Sequence, residues 1–352
     1  MDKERTKAFA EEVFTDMAGA MTAGLGFIGV KTGLFQSMAG KGWMTSEDVA
    51  LESNLQARYV EEWLKGMVSA GYLEFDPAPQ TYRLPDEHAY LLASEGTDHF
   101  MGGLLSFVPV LLRAAPKVAV AFEQGGGVPF EEYGTEGVQA LDMINRGQYE
   151  QRLLPTGWLK SLPDVVERLE AGGRALDVGC GAGSVVLTLA RAFPRATVVG
   201  LDPDRESIKH AKAAAAAADM SERVRFVAQK TSDLEPGEPF DFITVCDCIH
   251  DLADPIRTLE EIRALLESHG VLFVIEPKAA DRLEDNRSAI STMYYGFSVL
   301  HCMTQSLANG GPGLGTCMGP TRTEELMREA GFTAFETLDI RSSVLSFYAV
   351  RH

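Results

Sequence analysis

Apolar residues between Lys7 and Met38 recur mostly at helical spacing and stop at Gly40 and Gly42, which predicts a helical layer at the start of the chain. Thr45-Ser46-Glu47-Asp48 is a capping-box pattern that opens a short helix. A second helix follows Asn54-Leu55-Gln56 and can turn Tyr59, Trp63, Leu64, Met67 and Val68 toward a core, leaving Glu61 and Glu62 wet. Residues 72–75, the turn Asp76-Pro77-Ala78-Pro79 and residues 82–84 read as a β-hairpin, so the order is that of a winged helix. The most apolar stretch, residues 100–122, is interrupted by Pro109, Arg113, Pro116 and Lys117, which predicts helices buried against protein and no membrane span.

From Ala175 the pattern changes. Apolar runs at 175–178, 197–201, 224–227, 240–246 and 270–276 alternate with helical segments, the signature of a parallel sheet covered by helices on both faces. Two further runs, 334–340 and 343–350, predict a C-terminal antiparallel hairpin at the sheet edge. The expected fold is therefore α/β, with a mainly α-helical winged-helix domain over residues 1–160 and the sheet domain over 161–352.

Charge narrows the partners. With 32 Lys and Arg against 50 Asp and Glu, the chain carries a formal −18, and residues 1–95 alone hold 15 acidic and 8 basic side chains. Phosphate contacts supply most non-specific affinity for nucleic acid, so nucleic acid is not expected and the winged helix is read as a module for packing and homodimer formation. The first residues, MDKERTKAFAEEVF, lack a secretory layout, which predicts a cytoplasmic protein. The five cysteines, at positions 180, 246, 248, 302 and 317, form no zinc-cage spacing and are expected as free thiols.

Asp177-Val178-Gly179-Cys180-Gly181-Ala182-Gly183 follows an apolar strand and precedes a helix. Glycines belong where a ligand approaches the backbone closely. The spacing is GxGxG rather than the GxGxxG of dinucleotide sites, and Asp202, at the end of the next strand, can accept the two hydroxyls of a ribose. Together these residues resemble the class I S-adenosylmethionine-dependent methyltransferases. The resemblance implies a Rossmann-like methyltransferase sheet in which Gly179, Gly181 and Gly183 line the methionine moiety and Asp202 holds the ribose, with Asp177 and Cys246 beside the cofactor. Relatives often place an aspartate after the third strand to meet adenine; here the segment is Gln229-Lys230-Thr231-Ser232-Asp233, and Asp233 is the candidate substitute.

Cys246-Asp247-Cys248-Ile249-His250-Asp251-Leu252 lies at the carboxyl end of the fourth strand, the rim where open α/β sheets bind ligands. The His250-Asp251 pair, with the winged-helix region, resembles the small-molecule O-methyltransferases of secondary metabolism, which implies His250 as general base; imidazole titrates in a suitable range for that role. His301 lies eleven residues, about three helical turns, after Ile290, and so shares a face with Ile290, Tyr294 and Phe297. The paired histidines also resemble the metal-dependent α-keto acid C-methyltransferases of peptide-antibiotic pathways. That resemblance implies a metal ion on His250 and His301, divalent or trivalent, and imidazole nitrogens suit zinc and iron alike. Asp251 could be a further ligand, a base acting through water or an orienting partner, and the base or orienting role is favoured. The β-carbon of a 2-oxo acid is a weak acid, and a chelated cation would stabilise its enolate. C-methylation of a small α-keto acid is the favoured expectation. O-methylation of a phenol and a non-catalytic cofactor-binding protein are the rivals. Residues 309–315 are a glycine-rich loop read either as a lid or as a connector, and Arg146, Tyr149 and Tyr295 are candidate substrate contacts.

Overall fold

The computed structural model describes residues 1–234 and 237–352. Two compact units are distinguished: residues 1–110 with 143–147, and residues 111–142 with 148–352.

In the first unit the opening helix runs Lys3–Thr32 and ends at Gly33, whose φ of 74° is left-handed; a separate helix, Leu34–Met38, follows. The predicted helical layer is thus two helices, because the glycine releases the backbone into a conformation that ends an α-helix. Helix Ser46–Ser53 carries the expected capping box, with the Thr45 side chain and Asp48 each bonding the other's backbone. Helix Ala57–Ser69 buries Val60, Trp63, Leu64 and Met67, and the Trp63 indole donates to the Leu25 carbonyl at 2.8 Å. Tyr59, expected inside, is 81% exposed, since it lies about 100° round the helix from Val60. Strands β1 (Glu74–Asp76) and β2 (Thr81–Arg83) form the antiparallel wing. The apolar stretch after residue 100 is one continuous helix, Gly102–Gln124, which runs through Pro109 and Pro116 without breaking.

The second unit holds the sheet. β3 (Arg174–Val178), β4 (Thr197–Leu201), β5 (Val224–Val227), β6 (Phe240–Cys246) and β7 (Leu266–Pro277) are parallel. β8 (Ala334–Thr337) and β9 (Leu345–Arg351) close the edge antiparallel, giving the order β5-β4-β3-β6-β7-β9-β8. Near-continuous apolar runs are what a sheet buried on both faces requires. One face packs Phe242, Phe273 and Phe347, the other Leu176, Ile243, Leu272 and Val274. From β3 the chain winds outward through β4 and β5, then returns to β6 on the other side. A crevice opens where the order reverses, at the carboxyl ends of β3 and β6.

Two helical glycines in the first unit should respond oppositely to a methyl group. A Cβ at Gly103 would lie 2.6 Å from the Ile144 backbone nitrogen, whereas one at Gly24 meets nothing within 4 Å. Gly103→Ala is expected to cost about 1–3 kcal/mol by overpacking, and Gly24→Ala to stabilise by up to about 1 kcal/mol, measured by urea unfolding.

Candidate active site

The glycine loop forms as its sequence demands. Gly179, Gly181 and Gly183 all have positive φ, and a Cβ at Gly179 would sit 2.5 Å from the Cys248 sulfur. Gly183 caps helix Ser184–Ala192, so the loop delivers that helix's free N–H groups to the crevice. Asp202, just past β4, accepts from the Gly181 N–H at 2.9 Å and from the Asp204 N–H at 2.8 Å. Burial raises its pKa to about 6, although both amides oppose the shift. Asp177, 2% exposed, accepts the Thr244 hydroxyl at 2.6 Å, and burial outweighs that bond to lift it to about 7. Cys246 ends β6, buried, with its thiol pushed up by burial. Asp233 is exposed on the turn Thr231–Asp233 and accepts from the Ser232 hydroxyl at 3.1 Å.

Beyond β6 the backbone turns sharply. Asp247 adopts φ 55°, rare for a residue with a side chain, and donates its N–H to the Ile275 carbonyl at 2.7 Å. The short turn Ile249–Asp251 follows. Here Glu276, at the end of β7, takes both ends of one contact: Oε1 accepts the Ile249 N–H at 2.9 Å, and Oε2 lies 2.5 Å from His250 Nδ1. The other ring nitrogen, Nε2, lies 3.3 Å from Asp251 Oδ1 and 3.9 Å from Asp247 Oδ1. Burial alone would lower the His250 pKa; the Glu276 and Asp251 carboxylates overcome it and raise it well above the ordinary value. Asp251 is lifted by burial to about 7.

His301 comes from the opposite wall. Helix Ala289–Phe297 passes into a π-helical turn, Ser298–Cys302, and then into helix Met303–Ala308. The wider turn upsets an eleven-residue count at 3.6 per turn, and the buried side is Tyr294, Ser298, His301 and Cys302, with Ile290 and Phe297 only partly covered. The Tyr133 hydroxyl donates to the Leu300 carbonyl at 2.6 Å, and its ring meets the His301 ring edge-on at 4.6 Å. His301 is 2% exposed; burial, aided by nearby His250, depresses its pKa to about 3 and keeps the imidazole neutral. Gln305 Nε2 donates to Asp251 Oδ2 at 2.7 Å and lies 3.5 Å from His301 Nδ1.

His250, Asp251 and Cys302 each offer a ligand atom within 4.8 Å of the others, and His301 Nδ1 lies 3.6 Å from the Cys302 sulfur. The glycine-rich segment is tied down: Gly311 N–H donates to the Ser306 carbonyl and Gly315 N–H to that of His250, at 2.9 and 3.2 Å. Tyr149 is buried, Tyr295 is 38% exposed, and Arg146 pairs with Glu95 at 3.1 Å. Sequence reasoning missed Glu276, Cys302, Gln305 and Tyr133. Glu276 alone had left a signal, as an acid closing an otherwise apolar strand.

A family described as "Methyltransferase domain" matches residues 150–337, and an "Rv2258c-like winged HTH domain" matches residues 20–94. A ubiquinone biosynthesis O-methyltransferase of Actinobacillus pleuropneumoniae serotype 5b (strain L20) is 35% identical over 108 residues, 29% of this chain and 44% of that protein. The chain thus spans under half the length of that curated relative. Among solved structures, a putative O-methyltransferase from Nostoc punctiforme PCC 73102 superposes with a TM-score of 0.73 at 16% identity, covering 97% of this chain and 98% of that one. Human N-acetylserotonin methyltransferase, in complex with SAM, gives 0.71 at 20% identity over 100% and 98%. At such identities the likeness is one of fold.

The raised pKa of Asp177 makes stability depend on pH. Its folded value, about 7, lies above the ordinary 3.8, so its contribution is full below about 3.8 and is lost as pH rises through about 7. The Tm of the ligand-free protein should fall between about pH 4 and pH 7 and level off above that, and Asp177→Asn should flatten that slope. A scanning-calorimetry series showing the same slope in both proteins would contradict this.

Proposed function

The chain belongs to the methyltransferase-domain family over residues 150–337, and from that premise we propose that it transfers the methyl group of S-adenosylmethionine to the β-carbon of a small α-keto acid. The supporting observation is the setting of His250. Its Nδ1 is held by Glu276, and its Nε2 is grouped with the Asp251 carboxylate and the Cys302 thiol, beside a second imidazole kept uncharged. An imidazole braced by a carboxylate on its far nitrogen is how metal-ligating histidines are held, and a neutral buried histidine is a ready ligand. The residues therefore fit an ion: His250 and His301 would hold it, with Asp251 beside them. Zinc or iron bound there would supply Lewis-acid stabilisation of enolate charge on a chelated 2-oxo acid.

The chain's own groups do the rest. The glycine loop and Asp177 receive the methionine moiety, Asp202 accepts the ribose hydroxyls, and Cys246 and Asp233 flank the cofactor. Asp251 receives the proton that leaves the β-carbon as that carbon forms its bond to the methyl group and the carbon–sulfur bond breaks, giving S-adenosylhomocysteine. Glu276 keeps the His250 ring from turning. The aromatic rings of Phe130 and Tyr133 beside His301 exclude water from this wall.

O-methylation is the second reading, favoured by the same Glu276–His250 pair, which suffices for a general base acting on a phenol or enol. It gives His301 no role. Incubation with a panel of 2-oxo acids and phenols, with the new methyl located by NMR, separates the two. The expected product is a β-methylated 2-oxo acid, activity should fall at least about 100-fold in both His250→Ala and His301→Ala, and chelation should abolish it. An O-methyl product from fully chelated enzyme would reject the proposal. Binding of S-adenosylhomocysteine without turnover on any acceptor would leave a non-catalytic cofactor-binding protein.

A homodimer is also proposed. Phe9, Val13, Met17, Met21 and Ile28 are all more than 40% exposed along helix Lys3–Thr32, an apolar side suited to a second copy. Light scattering should give a dimer, and Phe9→Glu with Met17→Glu should shift it to monomer; a wild-type monomer at every concentration would exclude it.

A further inference from the structure

Gln305 has no task in the reading above, yet it is 8% exposed and touches two of the site's titratable groups. It stands one helical turn after His301, at the start of helix Met303–Ala308, so its amide and the imidazole share a face. A carboxylate oxygen can only accept, so the contact with Asp251 Oδ2 at 2.7 Å fixes the amide with its –NH2 toward that acid. The same nitrogen lies 3.5 Å from His301 Nδ1, and its second hydrogen needs an acceptor there. A neutral imidazole has one donor and one acceptor nitrogen.

We infer that Gln305 is a positioning residue that makes Nδ1 of His301 the acceptor, puts the His301 proton on Nε2, and aims Asp251 Oδ1 at His250. The inference rests on the proposed site, though not on an ion being bound in it. In the ion-free protein His301 is then a neutral N–H donor through Nε2, suited to a carbonyl or hydroxyl oxygen of the acceptor. Ligation through Nε2 would require that nitrogen without its proton, and the amide, whose –NH2 is held by Asp251 and faces Nδ1, opposes that exchange. Gln305 thereby governs how readily His301 passes from donor to ligand. The Tyr133 bond to Leu300 holds the π turn still while this happens.

The test is the tautomer itself. Full-length protein labelled with 15N-histidine, stripped of ions by chelation and held at pH 8, is examined by long-range 1H–15N NMR, with His301→Asn to assign the signal. The wild type should show a neutral Nε2–H imidazole. Gln305→Leu should give a mixture of tautomers, and Gln305→Glu, which can only accept, should invert it to Nδ1–H. Cobalt(II) titrated into the first two should bind the wild type and bind Gln305→Leu more tightly, because no amide donor then holds the proton on Nε2, while both bind S-adenosylhomocysteine equally. An Nδ1–H wild type, or one tautomer in all three proteins, would overturn the inference. Should cobalt fail to bind the wild type while the tautomer still follows residue 305, the metal reading falls and this one stands.

Discussion

One carboxylate organises the candidate site around His250. Glu276 binds a backbone N–H with one oxygen and an imidazole with the other, and the two contacts together fix both the path of the Ile249–Asp251 turn and the rotation of His250. Neither group could be buried singly at tolerable cost: a carboxyl group at 3% exposure needs hydrogen bonds, and an imidazole at 1% exposure needs a partner for its N–H. Because each satisfies the other, the remaining nitrogen of His250 is left to face the other groups of the site. There Asp251 and Asp247 approach from the turn itself, and Cys302 from the opposite wall.

The cofactor half was legible because its requirements are local. A strand, a glycine loop and an acid at the end of the following strand are contiguous in sequence, and each residue type follows from a backbone constraint: positive φ at Gly179 and Gly183, close approach to Cys248, two amides for Asp202. The alternation of strands and the edge hairpin were read for the same reason. The reacting half depends on residues far apart in the chain. His250 could be placed from its strand end, but Glu276 reaches it from 26 residues away and Gln305 reaches Asp251 from 54, and no periodicity encodes such meetings.

His301 shows how a buried position can be reached through an approximate geometry. Counting three regular turns from Ile290 put it on a buried face, and it is buried; the path there includes a π-helical turn that no 3.6-residue count contains. Such turns interrupt the regular ladder and are favoured where a side chain must be aimed. Here a phenol hydroxyl from Tyr133 binds a carbonyl inside the turn. The interruption is tied down at the same place that it creates.

The order of the strands also has a temporal side. β7, which carries Glu276, lies between β6 and β9, and Glu276 itself is paired with Ser346. During vectorial synthesis the glycine loop and Asp202 can find their neighbours as soon as β3, β4 and β5 have emerged. The brace on His250 must wait, because the far side of its strand is completed only by β9, which emerges after every other strand of the sheet. A nascent chain halted before residue 345 would therefore hold its glycine loop and Asp202 in place while the turn that carries His250 was still unbraced.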